Sequence, residues 1–356
     1  MKIASVHTRV EHFELTRPYA IAFRSVDSVQ NFIVALRSDR GCVGLGAASP
    51  EPHVTGETPE ACGEALREDQ LAWLVGADVR ALPVHCRELG RRMPHAPAAR
   101  AALDMALHDL LAQYLGLPLV EMLGRAHESL PTSITIGIKS VDETLREARE
   151  YLERGFRVLK VKLGHSMDED IERLRALRRS CGGEITLRVD ANQGYEPDAI
   201  MRFVDATRDL DIEFMEQPVP VAGFYSLGAL PDAVRKRIAA DESLLEERDA
   251  VRLLEPPRPC GILNIKLMKC GGVHAGLRIA TIAEAAGLEL MWGCMDESLI
   301  SISAALHAAL ASPATRYLDL DGSLDLARDV VEGGLILENG TMRTTDASGL
   351  GVKLID

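Results

Sequence analysis

Eight short apolar, β-branched runs recur through the later two thirds of the chain, and a stretch with helical periodicity separates each from the next. The runs fall at 133–138, 158–163, 185–189, 212–215, 238–240, 263–267, 288–292 and 317–320. Polar residues at equivalent ends of five runs recur every 25 to 28 residues, at Lys162, Asp190, Glu216, Asp241 and Lys266. A repeat of this length is one βα unit, and eight such units close into a barrel. The spacing therefore predicts an α/β fold with a (β/α)8-type barrel, a modified TIM barrel.

The residues before the barrel have a different pattern. Residues 1–13, 31–36 and 42–46 alternate like antiparallel strands, and 58–123 is helical. Within it the segment 98–114 is apolar around most of its circumference, which predicts a buried helix in which His108 and Asp109 are paired interface residues. Segments 16–25 and 48–57 are predicted loops, and the chain from Gly333 reads as a hairpin that returns to the first domain. We expect an α+β domain at 1–125, the barrel at 126–328 and a C-terminal segment at 329–356.

Composition limits the kinds of partner. The chain has 356 residues and a net charge of −13, which argues against general binding to nucleic acid or an acidic membrane surface. No 18-residue uncharged apolar run suggests a membrane span. Seven scattered cysteines without a CxxC pair fit reduced thiols, so a cytoplasmic protein is expected. A homo-oligomer is compatible with this sequence, which leaves the oligomeric state open.

Two lysines alternate with apolar residues in the second barrel run, Lys160-Val161-Lys162. Strand alternation points both side chains the same way. A solvated edge strand would explain this pattern as well. In an apolar setting, however, each ammonium disfavours the charged form of the other, which would give a lysine able to act as a base near neutral pH.

Three carboxylates directly follow consecutive barrel runs: Asp190, Glu216 and Asp241. Each alone could cap a helix. Together they would converge at one rim of the barrel, where a hard divalent cation relieves their repulsion. Ligands that are all oxygen favour Mg²⁺, with Mn²⁺ as the alternative and Zn²⁺ disfavoured.

The three acids lie between lysines on either side. Lys160 and Lys162 precede them by one strand, and Lys266 follows them by one strand. This order suits removal of a proton from one face of a carbon and its return to the other face. A proton α to a carboxylate is too weakly acidic for an amine alone, so the cation's charge is needed as well.

With these residues the chain resembles the muconate-lactonizing subgroup of the enolase superfamily, whose lysine base and Mg²⁺ are familiar. The likeness spans almost the whole chain and includes 102–111 and 54–57, which resemble the capping domain of that family. The resemblance implies that the segments 16–25 and 48–57 cover the barrel mouth. It also implies catalytic Lys162 and Lys266, with Lys160 tuning Lys162 and contacting the substrate carboxylate.

A further motif, Asp319-Leu320-Asp321, closes the eighth barrel run. Alone it fits a solvated strand end equally well. In dipeptide epimerases of this superfamily, such an Asp-x-Asp binds the free α-ammonium of the substrate. The resemblance thus implies an isomerase that inverts Cα of the C-terminal residue of a dipeptide, by two-base 1,1-proton transfer through an enolate.

Four residues bear on which dipeptide is accepted. Arg24 resembles the cap-loop arginine that faces the acidic side chain in Ala-Glu epimerases. Asp296, however, stands where those enzymes are expected to have an apolar residue. Together with Glu51 it would form an acidic pocket that prefers Lys or Arg side chains, although Glu51 could equally lie on the surface. Thr135, in the first barrel run, completes the predicted substrate contacts.

Other functions fit parts of the pattern. On the same fold these are L-Ala-D/L-Glu epimerase, N-acylamino acid racemase, o-succinylbenzoate synthase and cycloisomerase. A barrel that only binds a ligand would not need opposed lysines around three acids. A Schiff-base aldolase uses a barrel lysine, but the three acids argue against it.

Overall fold

The computed structural model describes residues 1–21 and 24–355, and for 18–21, 24 and 25 it describes the backbone only. The chain begins with an antiparallel sheet of β1 (Ile3–Ile21), β2 (Arg24–Ser38) and β3 (Val43–Ala48), in that order. The prediction of a loop over 16–25 was wrong for the described residues. β1 and β2 instead pair up to Ile21 and Arg24 across a register shift between Glu14 and Tyr19. The shift accommodates Pro18, whose ring nitrogen cannot donate a hydrogen bond to the ladder.

Four helices follow: α1 (Pro59–Ala65), α2 (Leu82–Arg92), α3 (Pro97–Leu115) and α4 (Leu119–Leu123). Thr58 caps α1 by accepting a hydrogen bond from the Ala61 N–H at 3.2 Å. Helix α3 is buried around nearly its whole circumference, as predicted. It packs closely on β3, where a Cβ built on Gly46 would lie 1.8 Å from the Ala102 carbonyl oxygen. The segment 49–57 is a loop, also as predicted.

A short strand β4 (Leu130–Pro131) leads into eight parallel strands. These are β5 (Ile134–Ile136), β6 (Val158–Lys162), β7 (Thr186–Asp190), β8 (Ile212–Glu216), β9 (Ile238–Ala240), β10 (Ile262–Ile265), β11 (Glu289–Gly293) and β12 (Thr315–Asp319). They neighbour one another in sequence order. A parallel bridge between Thr132 and Leu318, with a 3.0 Å hydrogen bond from Ser133 N to Leu318 O, joins the first strand to the last. The predicted barrel is confirmed.

The helices that surround the barrel are α5 (Val141–Glu153), α6 (Met167–Cys181), α7 (Ile200–Ala206), α8 (Asp232–Arg235), α9 (Glu247–Arg252), α10 (Leu267–Cys270), α11 (Val273–Ala286) and α12 (Leu299–Leu310). Ser140 and Glu143 form a capping box at the start of α5. Helix α12 is buried almost throughout, because it lies between the barrel wall, β3 and the C-terminal strands.

The C-terminal segment forms β13 (Val331–Gly333), β14 (Leu335–Glu338), β15 (Thr341–Thr344) and β16 (Val352–Leu354). Strands β14 and β15 make the predicted hairpin, and β15 continues onto β4. The Leu350 N–H donates to Asp109 of α3 at 2.9 Å, so the chain end does reach the first domain. The domain boundaries at 125 and 328 stay predictions.

In the part of the chain that the structure describes, no helix is long and apolar enough to cross a membrane. All seven cysteines are free thiols.

Candidate active site

The barrel register brings the predicted acids and lysines to one rim. Lys162 is the register partner of Asp190 on the next strand, and Asp190 is the partner of Glu216. Asp241 follows β9 directly and Lys266 follows β10. The three carboxylates are at most 1 % exposed. Buried acids at such density require compensating positive charge.

Lys160 supplies part of that charge at the centre of the site. Its Nζ lies 2.7 Å from Glu216 Oε2, 2.7 Å from Asp319 Oδ2 and 3.2 Å from Asp190 Oδ2. Burial alone would lower the pKa of Lys160, but the charges of these acids outweigh it and raise the pKa well above its ordinary value. The predicted mutual lowering of the two lysine pKa values was therefore wrong for Lys160, because acids surround this ammonium.

The other two lysines each contact a different acid. Lys162 Nζ donates to Asp190 Oδ2 at 2.6 Å, and Lys266 Nζ donates to Asp241 Oδ2 at 2.7 Å. Lys162 is the more open, with 26 % of its side chain exposed against 8 % for Lys266. The pKa of Asp190 falls to about 2 because the charges of Lys162 and Lys160 outweigh the effect of its burial. The two ammonium groups thus approach the acid cluster from opposite sides.

The donor set fits a hard cation. Burial, and then the charge of Asp190, raises the pKa of Glu216 to about 8. Its Oε2 is buried and accepts no hydrogen bond of suitable geometry within the described residues, although Lys160 lies close. Three buried carboxylates at one rim, with Glu216 Oε2 paired only to the Lys160 ammonium among the described residues, offer the hard oxygen ligands that Mg²⁺ prefers. Asp190, Glu216 and Asp241 could hold such an ion.

Sequence reasoning missed several polar residues of this rim. Lys269 on α10 donates to the carbonyl oxygen of Asp241 at 2.6 Å and to Asp241 Oδ1. Asn264 Nδ2 donates to Glu216 Oε1 at 2.6 Å. Asn264 stands two residues before Lys266 on one strand, so the alternation that grouped Lys160 with Lys162 could have found it. The sequence indicated a role for Lys269 only weakly, because it lies three residues after Lys266 and would share a helix face with it.

The two acids of the Asp-x-Asp motif have different surroundings. Asp319 is buried and accepts hydrogen bonds from Ser133 Oγ at 2.6 Å and Lys160 Nζ at 2.7 Å. Asp321 is half-buried, and its Oδ2 accepts the Thr135 N–H at 2.8 Å. Its Oδ1 lies 4.0 Å from Cys294 Sγ. Predicted contacts Thr135, Asp319 and Asp321 therefore meet where the barrel closes.

The predicted specificity residues come from two loops that touch. Asp296 is half-buried after β11, and its carbonyl oxygen accepts a hydrogen bond from Ser49 Oγ at 3.0 Å. Glu51, also half-buried, lies two residues after Ser49, so the cap loop that carries it runs beside the Asp296 loop. The side chain of Arg24 lies outside the described residues.

A second polar cluster lies away from this rim, between α2 and α3. Cys86, Asp104 and His108 place possible metal-binding atoms within 4.8 Å of one another. His108 Nδ1 lies 2.8 Å from the Asp104 carbonyl oxygen and 3.1 Å from its Oδ1. Burial opposes both charges, but their attraction raises the pKa of His108 and lowers that of Asp104. These groups satisfy one another, as was predicted for His108.

Comparison with known proteins agrees with this geometry. Residues 3–124 match the mandelate racemase/muconate lactonizing enzyme N-terminal domain, and residues 143–356 match the enolase C-terminal domain-like family. L-Lys-D/L-Arg epimerases of Methylococcus capsulatus and Desulforapulum autotrophicum are 64% and 54% identical to this chain, each covering 100% of both proteins. The crystal structure of the dipeptide epimerase from Methylococcus capsulatus complexed with Mg and L-Arg-D-Lys superposes with a TM-score of 0.98 over 99% of each chain. The chain therefore belongs to the mandelate racemase/muconate lactonizing enzyme branch of the enolase superfamily.

Proposed function

We propose that this protein is a Mg²⁺-dependent dipeptide epimerase, an isomerase that inverts Cα of the C-terminal residue and favours cationic dipeptides. The observation that carries the proposal is the placement of Lys162 and Lys266 on opposite sides of three buried carboxylates. The free cysteines support a cytoplasmic location.

Lys162 and Lys266 are the acid/base pair in this proposal. One amine takes the α-proton from one face, and the other ammonium returns a proton to the opposite face. When bound to Asp190, Glu216 and Asp241, Mg²⁺ supplies positive charge for the developing negative charge on the substrate carboxylate. Lys162 and Lys266 each donate to one of the carboxylates that would hold the cation, Asp190 and Asp241, so each base lies directly beside the proposed metal site. Lys160 stays protonated because acids surround it, Glu216 among them. In this proposal its ammonium group also contacts the carboxylate of the substrate.

The free α-ammonium of the dipeptide binds at Asp321. Both oxygens of Asp319 already accept hydrogen bonds, from Ser133 and Lys160. Among the described residues, the hydrogen-bonding group recorded beside Asp321 Oδ1 is the Cys294 thiol at 4.0 Å, so this oxygen is better placed to accept from a substrate ammonium. In this proposal Asp319 acts mainly by fixing Lys160, and Asp321 makes the direct contact.

Asp296 and Glu51 select a cationic side chain. The two acids lie on adjoining loops above the rim, and their charge disfavours a substrate glutamate. A relative that shares 64% of its residues over its full length is named L-Lys-D/L-Arg epimerase, which supports this preference over L-Ala-D/L-Glu dipeptides.

A comparison of kcat/KM across dipeptides tests the specificity. Wild type should prefer L-Arg-L-Lys to L-Ala-L-Glu and L-Ala-L-Leu, and Asp296→Leu should lose at least tenfold of its preference for the cationic substrate because a charge-assisted contact is removed. Asp346→Asn, an exposed acid distant in sequence, is the matched control. An unchanged ratio in Asp296→Leu would reject the acidic pocket. Turnover of N-acylated amino acids without turnover of any dipeptide would instead favour an N-acylamino acid racemase.

A further inference from the structure

The three rim carboxylates, Asp190, Glu216 and Asp241, are hydrogen-bonded in the same way. In each acid, a donor from the protein binds one oxygen and the second oxygen faces the lysines. Asp190 Oδ1 accepts the Asn192 N–H at 2.9 Å, and Glu216 Oε1 accepts Asn264 Nδ2 at 2.6 Å. Asp241 Oδ1 accepts Lys269 Nζ. The second oxygens contact lysines: Asp190 Oδ2 contacts Lys162, Glu216 Oε2 contacts Lys160, and Asp241 Oδ2 contacts Lys266.

Lys269 is fixed in this arrangement. It is 3 % exposed, and its three ammonium protons have three acceptors: Asp241 Oδ1, the Asp241 carbonyl oxygen at 2.6 Å and the Asn264 carbonyl oxygen at 3.2 Å. An ammonium has three donors, so none is left for a substrate. Asn264 is 0 % exposed. Both residues are therefore buried beside the acids, and neither presents a side chain to solvent.

We propose that Lys269 and Asn264 are positioning residues that make the site selective for a small cation over Ca²⁺. If the Asn192 N–H, Asn264 and Lys269 keep their hydrogen bonds when a cation binds, each carboxylate offers the cation only the oxygen that now contacts a catalytic-rim lysine. Ca²⁺ takes six to eight oxygens and gains from carboxylates that bind through both, whereas Mg²⁺ is bound octahedrally with single oxygens and retained water. One oxygen from each of the three acids would supply three of the six ligands in the octahedral shell of Mg²⁺. The inference rests on the proposed metal site.

Calorimetric titration of the purified protein with MgCl₂ alone and with CaCl₂ alone tests this without any substrate. The readout is the ratio of the two dissociation constants, Ca²⁺ over Mg²⁺. Lys269→Met and Asn264→Leu each free one carboxylate oxygen, and each should lower this ratio at least tenfold. Lys353→Met, an exposed lysine replaced in the same way, should leave it unchanged.

Wild-type ratios retained in folded Lys269→Met and Asn264→Leu would overturn the inference while leaving the metal site intact. No stoichiometric Mg²⁺ binding by wild type would overturn the metal site itself. A crystal structure of the Mg²⁺-bound wild type needs no variant: Lys269 still on Asp241 Oδ1 supports the inference, and an Asp241 bound to the ion through both oxygens rejects it.

Discussion

Lys162 and Asp190 face each other across adjacent parallel strands, with Lys162 Nζ 2.6 Å from Asp190 Oδ2. Asp190 is also one of the three proposed ligands of the cation. In the proposed site, the Lys162 ammonium and a divalent cation would therefore compete for the carboxylate of Asp190. The proposed base, Lys162, is thus in direct contact with a proposed metal ligand, Asp190.

Replacement of this lysine separates the two roles. Lys162→Ala should lower kcat for epimerisation by a factor of about 10² to 10⁴, the usual contribution of a general acid or base. The same variant should bind Mg²⁺ roughly tenfold more tightly, because a competing positive charge is gone. Steady-state kinetics and calorimetry measure the two effects.

Lys266→Ala should lose epimerisation to a similar extent, since the second face of the carbon loses its acid or base. Lys353→Ala is the control for removal of an exposed lysine. Full activity in either site variant would remove that lysine from the proposed pair.

Asp321 should give the reaction a dependence on pH. Burial, and then the charge of Asp319, raises the pKa of Asp321 to about 7. The carboxylate that binds a substrate ammonium is therefore lost as pH falls through about 7, and KM for a dipeptide should rise over that range. Asp321→Asn should have a high KM at every pH and lack this rise. A wild-type KM that is constant from pH 8 to 6 would contradict the assignment.

His307 should make the fold sensitive to acid. It is fully buried on α12, where its Nδ1 accepts the Val120 N–H at 3.0 Å, and burial lowers its pKa to about 4. Since the unfolded histidine has a pKa near 6.5, the folded state binds fewer protons between these values, and stability falls as pH drops from about 6.5 towards 4.

From pH 7 to pH 5 this one group should cost about 2 kcal/mol of unfolding free energy. His307→Gln, which keeps an acceptor for Val120 but does not titrate, should lose correspondingly less. Urea unfolding of both proteins at the two pH values measures the difference, and equal losses would exclude His307 as the cause.

Contact between β3 and α3 should depend on the absence of a side chain at Gly46. A Cβ there would overlap the Ala102 carbonyl oxygen, so Gly46→Ala should lower the free energy of unfolding by about 3 kcal/mol. Gly90→Ala in α2 is the matched control, because its Cβ would have nothing within 4 Å. It should instead stabilise the protein by about 0.5 to 1 kcal/mol. Urea denaturation distinguishes the two directions.

The barrel could be predicted from sequence because its signals are local. Each strand is a short apolar run. An acid at the end of a run, such as Asp190 or Glu216, indicates the rim without any knowledge of tertiary contacts. The residues that hold these acids were harder to find. Lys269 reaches Asp241 from a helix of four residues, and only tertiary contact shows that its charge is buried.

The segment after Glu14 was misjudged for a related reason. Pro18 favours a loop, but Tyr19 directly after it pairs with Val26 of the next strand, and an edge strand can accommodate proline at a register shift. The different surroundings of Asp319 and Asp321 also depend on which neighbours, Ser133 and Thr135, the closing strand brings to them. Sequence spacing cannot supply these partners.

Epimerisation of a cationic dipeptide at its C-terminal residue can be followed by deuterium uptake. L-Arg-L-Lys is incubated with the protein and Mg²⁺ in D₂O, and the product is analysed by mass spectrometry and NMR. We expect one deuterium at Cα of the lysine residue, none at Cα of the arginine residue, and the appearance of L-Arg-D-Lys. If the lysine Cα takes up no deuterium under conditions where the protein binds Mg²⁺, the protein is not an epimerase of this dipeptide.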